Sequence, residues 1–74
     1  NALDENEVRQ AWSGIVGPFI AAQSAPERLR GGVLHVRVHQ SSVRFELERT
    51  WKAEITRKLA ARFGPDRVRE VKFI

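Results

Sequence analysis

The stretch Leu29-Arg30-Gly31-Gly32-Val33-Leu34-His35-Val36-Arg37-Val38 decides the fold. Its two glycines supply the positive φ angles of a two-residue hairpin loop, and β-branched residues alternate with polar ones after them. With Gly31 and Gly32 as the loop, Arg30 faces Val33, Leu29 faces Leu34 and Arg28 faces His35, and directly opposed residues share a face of the sheet. One face then collects Leu29, Leu34, Val36 and Val38 and must be covered by helices. The other collects Arg28, Arg30, Val33, His35, Arg37 and His39, is basic, and is expected to meet water.

Upstream, Val8, Ala11, Trp12, Ile15, Val16, Phe19 and Ile20 recur at three- and four-residue spacing, the stripe of an amphipathic helix. Asp4 caps its start with Glu7 three residues on, and Leu3 staples onto Val8. Pro18 either kinks this helix or restarts it, and Gly14 and Gly17 ease both outcomes. Trp12 is the expected core anchor. Gln23-Ser24-Ala25-Pro26 then delivers the chain into a first strand expected to be short, because proline belongs at a strand start or an edge.

Downstream, Ser41 or Ser42 is placed to cap a helix running from about Val43 to Phe63, with Gly64 and Pro65 ending it. Glu48 with Lys52 and Glu54 with Lys58 stand in the favourable acid-before-base order. Val43, Leu47, Trp51, Ile55, Leu59 and Phe63 lie strictly four apart, so each step overshoots a turn by about 40° and the stripe winds around a straight helix. The half carrying Val43, Leu47 and Trp51 is therefore expected to be only partly covered. Trp51 and Phe45, ringed by Arg44, Arg49 and Lys52, become candidates for a partner-binding surface, since tryptophan is enriched among binding hot spots. Burial of Trp51 against the first helix or the sheet is the alternative. A last strand spans Val68 to Ile74, with Val71 and Phe73 inward and Glu70 and Lys72 outward. The order α-β-β-α-β describes an α+β domain, a three-stranded sheet with two helices packed on one face. Pairing of the last strand with the first or with the second is left open.

Residues 1–74 make one domain, and a chain of this size buries only about 60% of its unfolded surface. Starting at Asn1 and lacking methionine, it reads as a domain trimmed from a longer product. The absence of cysteine fits a reducing, cytoplasmic setting, and no apolar run approaches the roughly 20 residues needed to cross a bilayer. Thirteen lysines and arginines against nine acids, a net charge of +4, favour a polyanionic partner. Charge that serves solubility alone is the competing explanation.

Catalytic groups are scarce. There is no tyrosine, and Asp4 and Asp66 are the only aspartates. His35 and His39, four apart on a strand, stand about 13 Å from each other and cannot share a metal. Ser41-Ser42 has no neighbouring base, and Gly31-Gly32 lacks the Lys-Ser/Thr of a phosphate-binding loop. No enzyme, cofactor, metal site or small-molecule substrate is expected. What remains is binding: Arg28, Arg30, His35, Arg37 and Lys72 form a basic patch suited to phosphates. No aromatic platform accompanies it, so sequence-specific reading of bases is not expected.

Trp12-Ser13-Gly14-Ile15-Val16-Gly17, the hairpin Leu29 to Val38, Ser41 with Glu46-Leu47, and the closing Val71-Lys72-Phe73 together resemble the DciA family of bacterial proteins, which promote loading of the replicative DnaB-type helicase onto DNA. Val43 stands where the family often has an aromatic residue, with Phe45 nearby. The resemblance implies a KH-like fold without the GxxG loop of nucleotide-clamping KH domains. It also implies a non-enzymatic replication factor with two partners, a DnaB-type helicase and DNA, single-stranded or forked and of low sequence preference. An RNA-binding KH-like module and a protein-interaction domain that binds no nucleic acid are the alternatives.

Overall fold

The strand Val33–Val38 (β2) is the middle of a three-stranded sheet, with Ser24–Arg30 (β1) on one side and Glu70–Phe73 (β3) on the other. The structure is a computed structural model that describes residues 2–74, with side chains from 5 onward. β1 pairs antiparallel with β2, Arg30 opposite Val33, Leu29 opposite Leu34 and Arg28 opposite His35, the register the glycine loop predicts. Gly31 and Gly32 take φ of 60° and 82°, the left-handed region in which a side chain is disfavoured. β3 joins β2 in parallel, Leu34 opposite Val71 and Val36 opposite Phe73, which settles the pairing that the sequence left open.

Ala2–Val16 (α1) and Pro18–Ala21 (α2) are separate helices. The Asp4 cap and the Leu3 staple involve side chains outside those described. Gly17, at φ 90°, breaks the helix and Pro18 restarts it. Val8, Trp12 and Ile15 are buried, whereas Phe19, expected in the same stripe, is 73% exposed. The restart at Gly17 turns it out of phase. Trp12 donates its indole N–H to Ser24 Oγ at 3.0 Å, and Ser24 donates onward to the Ile20 carbonyl at 2.7 Å. Ser24, the one buried polar residue among those described, is thus satisfied and ties the end of α2 to the start of β1.

β1 is longer than expected. It starts at Ser24 and contains Pro26, which is tolerated because β1 is an edge strand. The ladder shifts between Pro26 and Arg28, so Glu27 is an extra residue, a β-bulge. Side chains alternate strictly along a strand, and the insertion changes their phase: Ser24 and Pro26 fall on the helix side with Leu29, while Glu27 and Arg28 are both exposed. Helix side chains close this edge. Glu5 Oε2 accepts the Leu29 N–H at 3.1 Å and Arg9 donates to the Glu27 carbonyl at 2.8 Å.

The second long helix begins at Ser41, with Gln40 at its cap position and no capping side-chain bond, so neither serine caps it. The Arg44 N–H donates to the Gln40 carbonyl at 3.0 Å, the ordinary first bond of the helix. It comprises Ser41–Glu46 (α3), a π-helical turn Leu47–Trp51, and Lys52–Phe63 (α4). The π turn corrects the expected winding. From Leu47 to Ile55 a regular helix would rotate the stripe by roughly 80° beyond two turns. The extra residue taken in by a π turn absorbs about 100° of rotation, leaving the two within roughly 20°. Leu47, Ile55 and Leu59 accordingly enter one core, at 1%, 3% and 0% exposure. Trp51, at the end of the widened turn, is left 44% exposed. The expected Glu48–Lys52 and Glu54–Lys58 pairs form at 3.4 and 3.5 Å.

β3 is shorter than expected, and Val68 enters the core from the preceding loop. That loop is anchored on the hairpin: the Gly32 carbonyl accepts the N–H of Arg69 at 2.7 Å and of Glu70 at 3.1 Å, and the Arg69 guanidinium donates to the Gly31 carbonyl. At the outer edge of β3, Glu48 Oε2 accepts the Phe73 N–H at 3.4 Å. Both helical segments pack on one face, making the order helix-strand-strand-helix-strand an α+β arrangement.

Two expectations follow. A Cβ at Gly31 would meet nothing within 4 Å, whereas one at Gly32 would come within 2.5 Å of Arg69 Nε. Gly31→Asn should therefore change stability by less than about 1 kcal/mol, since asparagine visits the left-handed region at low cost. Gly32→Asn should lose about 1–3 kcal/mol. In an Arg69→Ala background the gap between the two, read from urea unfolding, should close. Trp12→Ala should lose about 3–5 kcal/mol, and Ser24→Ala about 1–3 kcal/mol through the indole N–H it orphans; an unchanged urea midpoint for Ser24→Ala would refute the role given to that bond.

Candidate nucleic-acid and partner surfaces

The sheet face turned away from the helices is ordered by strand register. Arg28 lies opposite His35 and His35 opposite Lys72, a row crossing all three strands. Adjacent strands stand about 4.8 Å apart, so the row is compact. Beside it run Arg30, Val33 and Glu70. Arg28, Arg30 and Lys72 are exposed and His35 is half-buried. No aromatic side chain shares this face: Phe73 and Trp12 are in the core and the other aromatics lie on helical segments.

Ion pairing separates these cations from most of the others. Arg9 faces Glu5 at 3.7 Å, Arg49 faces Glu46 at 3.2 Å and Arg67 faces Glu7 at 3.8 Å, and Lys52 and Lys58 have the helical partners given above. Among the described residues Arg28, Arg30 and Lys72 form no ion pair. Neither do Arg44, Arg57 and Arg62, which lie on α3 and α4, nor Arg69, whose guanidinium is bonded to the Gly31 carbonyl.

Arg37 differs. Its Nε donates to Glu27 at 2.6 Å and its Nη2 at 3.3 Å, a forked pair on the open face. Those hydrogen bonds hold the Glu27 carboxyl below the usual carboxylate range, desolvation opposing them and the charges of Arg37 and Arg28 assisting. Arg37 is raised in turn, chiefly by the same hydrogen bonds. The sequence reading grouped Arg37 with the available cations and missed Glu27, because only the bulge brings Glu27 to this face. A proline within a strand was the available signal.

The partner-surface candidates do not form one cluster. Trp51 lines an apolar groove of about 400 Å³ with Phe19, Ile20, Val43 and Leu47, and Glu46 stands at its rim. Phe45, 63% exposed, lies outside it with Arg49 stacked over its ring at 5.5 Å. Arg44 is exposed and Lys52 is held by Glu48. Phe19 is the groove residue that sequence reasoning missed; the Gly17-Pro18 break was the sign that it leaves the stripe.

Among the described residues no three His, Cys, Asp or Glu side chains are grouped to hold a metal, and no helix is long and apolar enough to cross a membrane. The only G-x-x-G spacing, Gly14 to Gly17, has Gly14 inside α1 rather than on a nucleotide-clamping loop. No curated protein matches the chain. The family model described as "Dna[CI] antecedent, DciA" matches residues 1–73, which contain every element from α1 through β3. With that match and the helix-strand-strand-helix-strand fold in agreement, the chain belongs to the DciA family, whose role in bacterial DNA replication is that of a DnaB-type helicase loader.

Proposed function

We propose that this domain is a non-enzymatic replication accessory that binds DNA weakly through the open sheet face and holds a DnaB-type helicase subunit through the apolar groove. The observation that carries the DNA half is the set Arg28, Arg30 and Lys72, unpaired among the described residues and all exposed, with His35 between two of them on the open sheet face. Cations free of carboxylates attract phosphates at no exchange cost, and a flat face without aromatics reads little sequence. The helicase half rests on Trp51 and Phe19, large apolar side chains exposed at one groove. RNA binding would use the same cations.

Three phosphate contacts give an expected log-log salt slope of roughly −3 on duplex DNA and a shallower one on single strands. Replacing Arg28, Arg30 and Lys72 together by glutamine should flatten that slope while leaving the urea midpoint nearly unchanged. An unaltered slope would remove the sheet face from the proposal, and a marked preference for RNA in competition would favour the KH-like RNA reading.

In a Trp12→Phe background Trp51 is the only indole, and acrylamide should quench it efficiently in the free domain. Added DnaB-type helicase should protect it, and Trp51→Ala should weaken the complex about tenfold or more, as hot-spot truncations do. Helicase binding with undiminished quenching would move the contact away from the groove.

A further inference from the structure

Among the described residues Glu27 is the one acidic side chain on the open face that engages a cation there, and its geometry is that of a substitute phosphate. Two carboxylate oxygens take the Nε and Nη2 hydrogens of Arg37, the same forked donor edge that a phosphodiester would take. Arg37 lies two residues beyond His35 on β2, on the face of the Arg28-His35-Lys72 row. A phosphate arriving there meets Arg28 and Lys72 free but Arg37 occupied. Recruiting Arg37 exchanges one anion for another and leaves the displaced carboxylate facing the phosphate.

A structural duty does not account for the pair. Arg37 and Glu27 are 57% and 41% exposed, and exposed ion pairs add little to stability. The bulge has other fastenings, the Arg9 bond to the Glu27 carbonyl and the Glu5 bond to the Leu29 N–H. Glu70, also on this face, forms no ion pair among the described residues and provides a comparison.

We propose that Glu27 is an intramolecular competitor for the phosphate backbone, withholding Arg37 and keeping the affinity of this face for DNA low. The inference rests on the reading of the face as a DNA-binding surface. It assigns Glu27 and Arg37 opposite roles that neither has without the other, so their substitutions are coupled.

Fluorescence anisotropy with a labelled duplex of about 20 base pairs tests this across a salt titration. Glu27→Gln should tighten binding about three- to tenfold at low salt and steepen the salt slope by about 0.9, one further phosphate contact. Arg37→Gln alone should change affinity by less than about twofold, yet in the Glu27→Gln background it should abolish the whole gain. Glu70→Gln alters net charge equally on the same face and should leave the slope unchanged. A Glu27→Gln effect no larger than that of Glu70→Gln, or an Arg37→Gln loss of equal size in both backgrounds, would overturn the competitor role. Wild-type binding that survives the Arg28, Arg30 and Lys72 triple substitution would instead overturn the assignment of the face. Glu27→Ala repeats the test with the whole carboxylate removed, and should reproduce the Glu27→Gln gain.

Discussion

Two consecutive residues of positive φ, Gly31 and Gly32, hold the structure to a single arrangement. A tight turn of that hand matches the twist of the strands it joins, and so fixes which residues of β1 and β2 oppose each other. Slipping the pair by one residue would turn a strand's buried residues, such as Leu34, Val36 and Val38 of β2, to water and its basic residues into the core. The turn also places the third strand. β3 has only four residues, and its entry is determined by the carbonyls of Gly31 and Gly32, which accept from Arg69 and Glu70. One local constraint therefore sets both the antiparallel and the parallel half of the sheet.

A three-stranded sheet has two edges, and in a small domain neither can be left as a template for another strand. Here each is met by a carboxylate from a helical segment, Glu5 at Leu29 and Glu48 at Phe73. Glu7, Glu46 and Glu54 face cations elsewhere on the surface. With these acids used at the edges and along the helices, the open sheet face keeps, among the described residues, Glu27 and Glu70 against Arg28, Arg30, Arg37 and Lys72. The modest net charge of the chain understates how basic that face is, because placement rather than the total decides where a polyanion is attracted.

The hairpin register, the burial of Trp12, the two helical regions and the inward set of the last strand were all legible in the sequence, since each follows from a repeat of 2 or 3.6 residues or from glycine in a turn. The bulge at Glu27, the π turn and the outward turn of Phe19 were not. Each changes the phase of a regular element by one residue or breaks it, and a periodicity argument assumes the phase is kept. The strict four-residue spacing from Val43 to Phe63 did register the problem, because such a stripe cannot stay on one side of a straight helix. It did not reveal the solution, an extra residue in one turn that returns Ile55 to the side of Leu47 and expels Trp51. The serine cap was misplaced because the helix begins at Ser41 itself, which puts Gln40 in the cap position and both serines inside the first turn.

These irregular places are also where the candidate surfaces lie. The break at Gly17 turns Phe19 outward and the π turn turns Trp51 outward, and the two meet in one groove although they belong to separate helical segments with β1 and β2 between them in sequence. The bulge carries Glu27 onto the basic face and into contact with Arg37. Regular elements bury their apolar residues efficiently and leave little apolar surface to offer a partner. An interruption costs local hydrogen bonding or packing, and sequences keep such interruptions most often where a side chain must point against the pattern of its element. In this domain the pattern builds the core and the basic row of the sheet, and the three departures from it present Phe19 and Trp51 at the groove and Glu27 beside Arg37.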